Sequence, residues 1–300
     1  MNRFGEHVVG DADVDASGHM TVARYAEIAE LTGCALLVEA APLSGGVRPL
    51  VTSIVNRQHR EQFAGARLAI GVGVLAVEPS AIEFHVELRN LADGVLASAH
   101  RVGVGTRHAR SSASRPIEGE ALAGARASIV DQPEHGRPRR LSIDPLGTTD
   151  VAHLAAHDLE VWCDRIVDAA ECDEYGWYVG GPTRLAWGPV GTPRTDTPWQ
   201  FRSADGHPLA LTNVENRRRV LALPRERAHL LTVAANIAVE RNRRVRREWT
   251  YDVDTNAMIV AGEFVDLLVD LDQRRSVDIP EHVRSELHRY LRPELGPPQQ

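Results

Sequence analysis

The chain has 300 residues, 43% hydrophobic and 25% charged, with a formal net charge of −7. This is the balance of a globular protein of one large or two ordinary domains, and it offers no basic excess for nucleic acid. All 34 basic residues are arginine, which excludes Schiff-base, Walker-A, kinase-type and Ser-Lys chemistries.

The first residues, Met1 to His7, contain no apolar signal core, and no apolar run approaches the roughly 18 residues needed to cross a bilayer. A cytoplasmic protein with no membrane partner is expected. The pair Val8-Val9 then leads into Asp13 and Asp15, then Gly18-His19. From Thr21 to about Glu39, Tyr25, Ile28, Ala29, Thr32 and Leu36 recur at helical spacing. A carboxylate just before a helix N-terminus faces backbone N–H groups without helical partners. Such groups can polarise a carbonyl and hold an oxyanion, while the carboxylate attacks the carbonyl or activates water. Asp13 or Asp15 acting only as a helix cap is the alternative.

Further along, Leu68–Val77 alternates apolar and small residues as a strand, Ala81–Leu88 is a second strand, and Asp93-Gly94 is a hairpin turn before a third strand over Val95–Val104. Residues 111–140 read as a linker that includes a short helix at Ala121–Ile129. A second long helix is expected from His157 to about Asp173. An amphipathic helix is expected over Pro280–Leu291, with Val283, Leu287 and Leu291 on one face.

An internal repeat organises these elements. Arg48–Arg60 aligns with His207–Arg219 at a shift of 159, the strand from Leu68 aligns from Leu231 at 163, and Val95–Ala99 aligns with Ile259–Glu263 at 164. The expected class is α+β, with a first unit at 1–110, the linker at 111–140, a second unit at 141–279 and a helix and tail at 280–300. Where the second unit would carry the Asp-x-Asp-x-x-Gly-His pattern stands Ser142–Asp150, so one chemical site per chain is expected, with the second unit as pocket wall.

The stretch Asp13-Val14-Asp15-Ala16-Ser17-Gly18-His19, with Tyr25 beyond it, resembles the signature of the hotdog-fold acyl thioesterases, the 4-hydroxybenzoyl-CoA and acyl-ACP thioesterase group. The resemblance implies two tandem hotdog units, each an antiparallel sheet around a long helix, packed as an intrachain pseudo-dimer that associates further into a dimer of double hotdogs. It implies hydrolysis of an acyl-CoA or acyl-carrier-protein thioester. Asp15 matches the catalytic carboxylate, His19 the motif histidine, Ser17 an asparagine that orients water in plant acyl-ACP thioesterases, and the backbone N–H of Val22 the amide that polarises the thioester. Thr21 and Val22 replace the family's asparagine pair. That departure keeps two other readings open, a dehydratase or isomerase on an acyl thioester and a non-catalytic acyl-thioester binder.

Tyr25 and His59 are further candidates for the substrate cleft. Arg217 and Arg218 are candidates for coenzyme A phosphates or an acidic carrier surface, although such arginine runs more often form a solvated strand face. No cofactor is implied, and no histidine pair has a supporting metal-ligand motif. Cys34, Cys163 and Cys172 are too scattered for a disulfide framework and read as buried thiols.

Overall fold

A computed structural model describes residues 2–15, 18–40, 43, 46–117, 120–142, 146, 149–188 and 200–296. The first half runs β1 (Asn2–Val8), α1 (Val22–Ala40), β2 (Val47–Gln58), β3 (Arg67–Val77), β4 (Ala81–Asn90), β5 (Leu96–His108), β6 (Ser114–Arg115) and α2 (Glu120–Ala127). The second runs α3 (Val151–Ala155), β7 (Glu160–Ile166), α4 (Pro182–Trp187), β8 (Gln200–Arg202), β9 (Pro208–Val220), β10 (His229–Val239), β11 (Arg243–Asp252), β12 (Met258–Asp270), β13 (Arg275–Ser276) and α5 (Glu281–His288).

The main strands form one antiparallel sheet in the order β1-β3-β4-β5-β2-β9-β12-β11-β10-β7. That order reads the same from either edge once β7, β10, β11, β12 and β9 are matched to β1, β3, β4, β5 and β2. His229 then answers Arg67, Arg243 answers Ala81 and Met258 answers Leu96, a constant shift of 162. The expected shifts of 163 and 164 are therefore off by one and two residues. A one-residue slip exchanges the two faces of a strand. The true register matches Leu68 with Leu230 and Ala97 with Ile259, all four buried.

α1 lies across the first half's strands. Ile82, Phe84, Val86 and Leu88 alternate along β4 and pack with Tyr25, Ile28, Ala29 and Leu37 in one core. Gly33 permits the close approach: a Cβ there would stand 2.9 Å from Val104 Cγ2. At the other end of the chain, α5 buries Val283 and Leu287 against a cluster with Leu209 and Leu268.

The second half departs from expectation. Residues 157–173 form β7 and a short turn of 3-10 helix, and the helix that follows, α4, has only six residues. The arginine runs are split: Arg219 and Arg241 are exposed, while Arg217, Arg218, Arg244 and Arg246 are buried. Arg217 is buried and donates to Glu263 at 2.9 Å and to the Ser142 carbonyl at 2.7 Å. Arg218 is buried over Trp187 and Phe264, 3.9 and 4.6 Å from their ring centres. Arg244 and Arg246 both bond Asp266, at 2.8 and 3.1 Å. Glu263 stands opposite Arg217 and Asp266 opposite Arg244 in the strand register, and Glu248, two residues along β11 from Arg246, pairs with it, so these buried charges are matched.

Candidate active site

Asp15, Gly18 and His19 are joined by backbone hydrogen bonds just ahead of α1. Asp15 N–H donates to the His19 carbonyl at 2.8 Å and Gly18 N–H to the Asp15 carbonyl at 2.9 Å. Gly18 has φ +78°, a left-handed conformation that favours glycine and explains its place in the pattern. The two aspartates have different tasks. Asp13 is buried and tied to Gly10 N–H at 2.9 Å, His7 Nε2 at 2.8 Å and Arg24 Nε at 2.7 Å. Burial opposes its ionisation, but these partners outweigh it and hold the carboxyl below the usual range. Asp13 is a structural strut under the first turn of α1. Asp15 is exposed, and its Oδ1 accepts the His19 N–H at 3.1 Å.

His19 packs edge-on against Phe63, ring centres 4.9 Å apart, with Nε2 3.8 Å from Glu61 Oε2. The second half reaches over this point. Arg274, in the turn between β12 and β13, donates to Glu61 at 2.5 Å, lies 3.5 Å from His19 Nε2 and sits above Phe63. Val22 is the first residue of α1, so its N–H has no partner within the helix. Asp15 and His19 are thus brought together just ahead of α1 in the chain, with Arg274 from the other half beside His19.

The other candidates lie elsewhere. Tyr25 is buried in the α1 core, where burial raises its pKa. His59 hydrogen-bonds the His135 carbonyl at 2.9 Å and lines a cleft of about 490 Å³ with Arg57, Glu134, His135, Arg137, Pro138 and Arg139. Ser17 lies outside the described residues, as do Ile143, Asp144, Pro145, Gly147 and Thr148 of the stretch expected to replace the second motif.

That stretch is not the counterpart of the first motif. The counterpart is Glu171-Cys172-Asp173-Glu174-Tyr175-Gly176-Trp177. Asp173 N–H donates to the Trp177 carbonyl at 2.8 Å, Gly176 N–H to the Asp173 carbonyl at 2.9 Å, and Gly176 has φ +74°. The bridge Val14–Met20 recurs as Cys172–Tyr178, and His19–Phe63 recurs as Trp177–Arg225. A cleft of about 430 Å³ lies beside this turn, lined by Tyr175 with Gly46, Arg48, His108, Ala109 and Arg110 of the first half. The expectation that only the first half carries such a site is therefore corrected for geometry.

Their chemistry differs. Asp173 accepts from Tyr175 N–H and Trp177 N–H, both at 3.0 Å, and forms a buried ion pair with Arg107 at 2.6 Å. Burial resists its charge, yet Arg107 and the two amides pull its pKa down. Its carboxylate is fully engaged, and Trp177 replaces the motif histidine.

Sequence reasoning missed Glu30. It is buried in the middle of α1 where that helix meets α4, and its Oε1 accepts from Thr183 N–H at 3.2 Å and Thr183 Oγ1 at 2.7 Å. Burial pushes its pKa up to about 7, against the opposing pull of Thr183 and Arg218. Nothing in local spacing marks it, because α4 is what buries it.

No protein-family model matches the chain, and no curated protein matches it by sequence. Solved structures do match by fold. The 12:0-ACP thioesterase from Umbellularia californica superimposes with a TM-score of 0.67 at 7% identity, over 88% of this chain and 93% of that one. A Lactobacillus plantarum protein named as an oleoyl thioesterase gives 0.63 at 15%, over 88% and 94%. An acyl-ACP thioesterase from Bacteroides thetaiotaomicron gives 0.55 at 11%, over 88% and 97%. The chain has the large antiparallel sheet of the hotdog-fold thioesterases.

Proposed function

We propose that the protein is an acyl-thioester hydrolase built from two tandem hotdog units, residues 1–110 and 141–279, joined by 111–140 and closed by 280–300. The palindromic strand order and the twice-used turn support the tandem reading. The thioesterase names of the fold's neighbours support an acyl-CoA or acyl-carrier-protein substrate.

The chemistry rests on one observation: the turn closed by Asp15 and His19 presents an exposed carboxylate in the segment just before α1, with Arg274 from the other unit beside His19. The thioester carbonyl takes the Val22 N–H, where the helix dipole stabilises the oxyanion. Asp15 takes a proton from water as the resulting hydroxide adds to the carbonyl, and the proton passes to the departing thiolate; in the alternative route Asp15 adds to the carbonyl, the thiolate leaves, and water cleaves the acyl-aspartyl anhydride to release the acid and restore Asp15. His19 and Ser17 orient the water or the carboxylate. Arg274 adds positive charge beside the developing oxyanion.

One observation favours the binder reading: Asp15 Oδ1 already accepts the His19 N–H and thereby braces its own turn. Thiol release from acyl-CoA and acyl-carrier-protein substrates decides between them. Turnover by the wild type with a large loss in His19→Ala supports hydrolysis. Binding without thiol release supports the binder, and hydration or double-bond migration without thiol release supports the dehydratase or isomerase.

A further inference from the structure

His85 and Glu87 alternate along β4 with Phe84, Val86 and Leu88, so they point to the face of the sheet opposite α1. Both are fully buried. The segment after α2 lays His135 over them. Glu87 Oε1 meets His85 Nε2 at 2.9 Å and also makes a short contact with His135 Nε2. One donor atom from each of the three residues lies within 4.8 Å of the other two. Arg89 holds the other carboxylate oxygen, with Nε at 2.8 Å and Nη2 at 2.7 Å.

Three features set this apart from an ordinary His–Glu hydrogen bond. Two imidazole nitrogens converge on one carboxylate oxygen while Arg89 anchors the other. The His85 ring is itself fully buried. The loop is also shaped to close on that ring: a Cβ at residue 136 would stand 2.3 Å from His85 Cε1, so Gly136 is what lets His135 come within reach. The His135 side chain is 39% exposed and opens onto the cleft of about 490 Å³.

We propose that His85, Glu87 and His135 form a binding site for a zinc-class divalent metal ion, with an open coordination position facing that cleft. Two imidazoles and one carboxylate match the donor set such an ion takes when it keeps one exchangeable position. At metal–ligand distances of about 2.1 Å, tetrahedral donors stand about 3.4 Å apart, which small ring movements reach from the present spacing. Arg89 orients Glu87 as an outer-shell partner does. Arg57, Arg137 and Arg139 line the cleft and favour an anion, such as hydroxide or a carboxylate, as the exchangeable ligand.

The test uses the full chain, stripped with a chelator and titrated with Zn²⁺ by calorimetry and with Co²⁺ by visible absorption. The wild type is expected to bind one equivalent of each, with the intense absorption of tetrahedral Co²⁺. His135→Ala, on a partly exposed loop, is expected to fold and to weaken binding at least roughly 100-fold, the upper end of what an outer-shell loss costs. Glu87→Gln keeps the shape, and its affinity should also fall sharply. Absence of saturable binding by the wild type overturns the proposal. So does unchanged affinity and absorption in whichever of the two variants folds.

Discussion

Asn56 and Asn216 stand directly opposite each other where β2 meets β9, and the Asn56 side-chain amide donates to Asn216 Oδ1 at 2.6 Å. Both are buried at the centre of the palindromic sheet. The contact extends both ways, through His100 to Ser98 on one side and through Asn213 to Asp266 on the other. Burial, with His85 and His59 nearby, drops the His100 pKa to about 3, so its ring stays neutral within this chain of polar groups. Asn56→Ala strips Asn216 and His100 of a partner, and a loss of about 1–3 kcal/mol in urea unfolding is expected. An unchanged midpoint would show that the seam does not depend on this pair.

Glu30 gives a pH signature. Its folded pKa of about 7 lies above the ordinary 4.5. Between those values the folded state holds a proton that the unfolded chain has released, so stability falls as pH rises. The contribution is full below pH 4.5 and gone above about 7. Glu30→Gln removes the titration. Its stability relative to wild type should therefore improve from pH 4.5 to 8, by on the order of 3 kcal/mol. A constant difference across that range would place the Glu30 pKa near its ordinary value.

The Arg107–Asp173 pair locks the second turn shut. Arg107→Ala leaves a buried carboxylate without its cation and is expected to cost about 3–5 kcal/mol. Arg107→Ala combined with Asp173→Asn should recover part of that loss in a double-mutant cycle. Strict additivity would mean that the two residues do not interact.

Gly33 faces β5, where a Cβ would meet Val104 Cγ2 at 2.9 Å and Val102 Cγ1 at 3.1 Å. Gly33→Ala gains helix propensity but forces the new methyl onto Val104. Overpacking of about 1–3 kcal/mol should exceed the propensity gain of about 1 kcal/mol, so thermal unfolding should shift downward.

Local patterns carried the first half. The 3.6-residue period of Tyr25, Ile28 and Thr32 marked α1, and strict alternation marked β3 and β4, because these signals depend only on near neighbours. The second motif was hidden by three changes: Glu171 for Asp13, Trp177 for His19, and a helix of only six residues, too short to show a period. The buried arginines looked solvent-facing because Glu263 and Asp266 become their neighbours only through strand register. Glu30 and the His85–Glu87–His135 group were illegible for the same reason. Each is defined by a segment distant in sequence that folds over it, α4 in one case and the loop carrying His135 in the other.

The central claim is that Asp15 performs chemistry at the first turn. The direct measurement is steady-state thiol release from an acyl-CoA series and an acyl-carrier-protein series by wild type and Asp15→Asn, with unfolding curves for both. Asparagine keeps the shape of the side chain and can still accept the His19 N–H, so stability should be nearly unchanged. The account predicts wild-type turnover and a fall of roughly two to four orders of magnitude in kcat for the variant. Hydrolysis by Asp15→Asn within a few-fold of wild type, or no hydrolysis by the wild type on any member of either series, would contradict it.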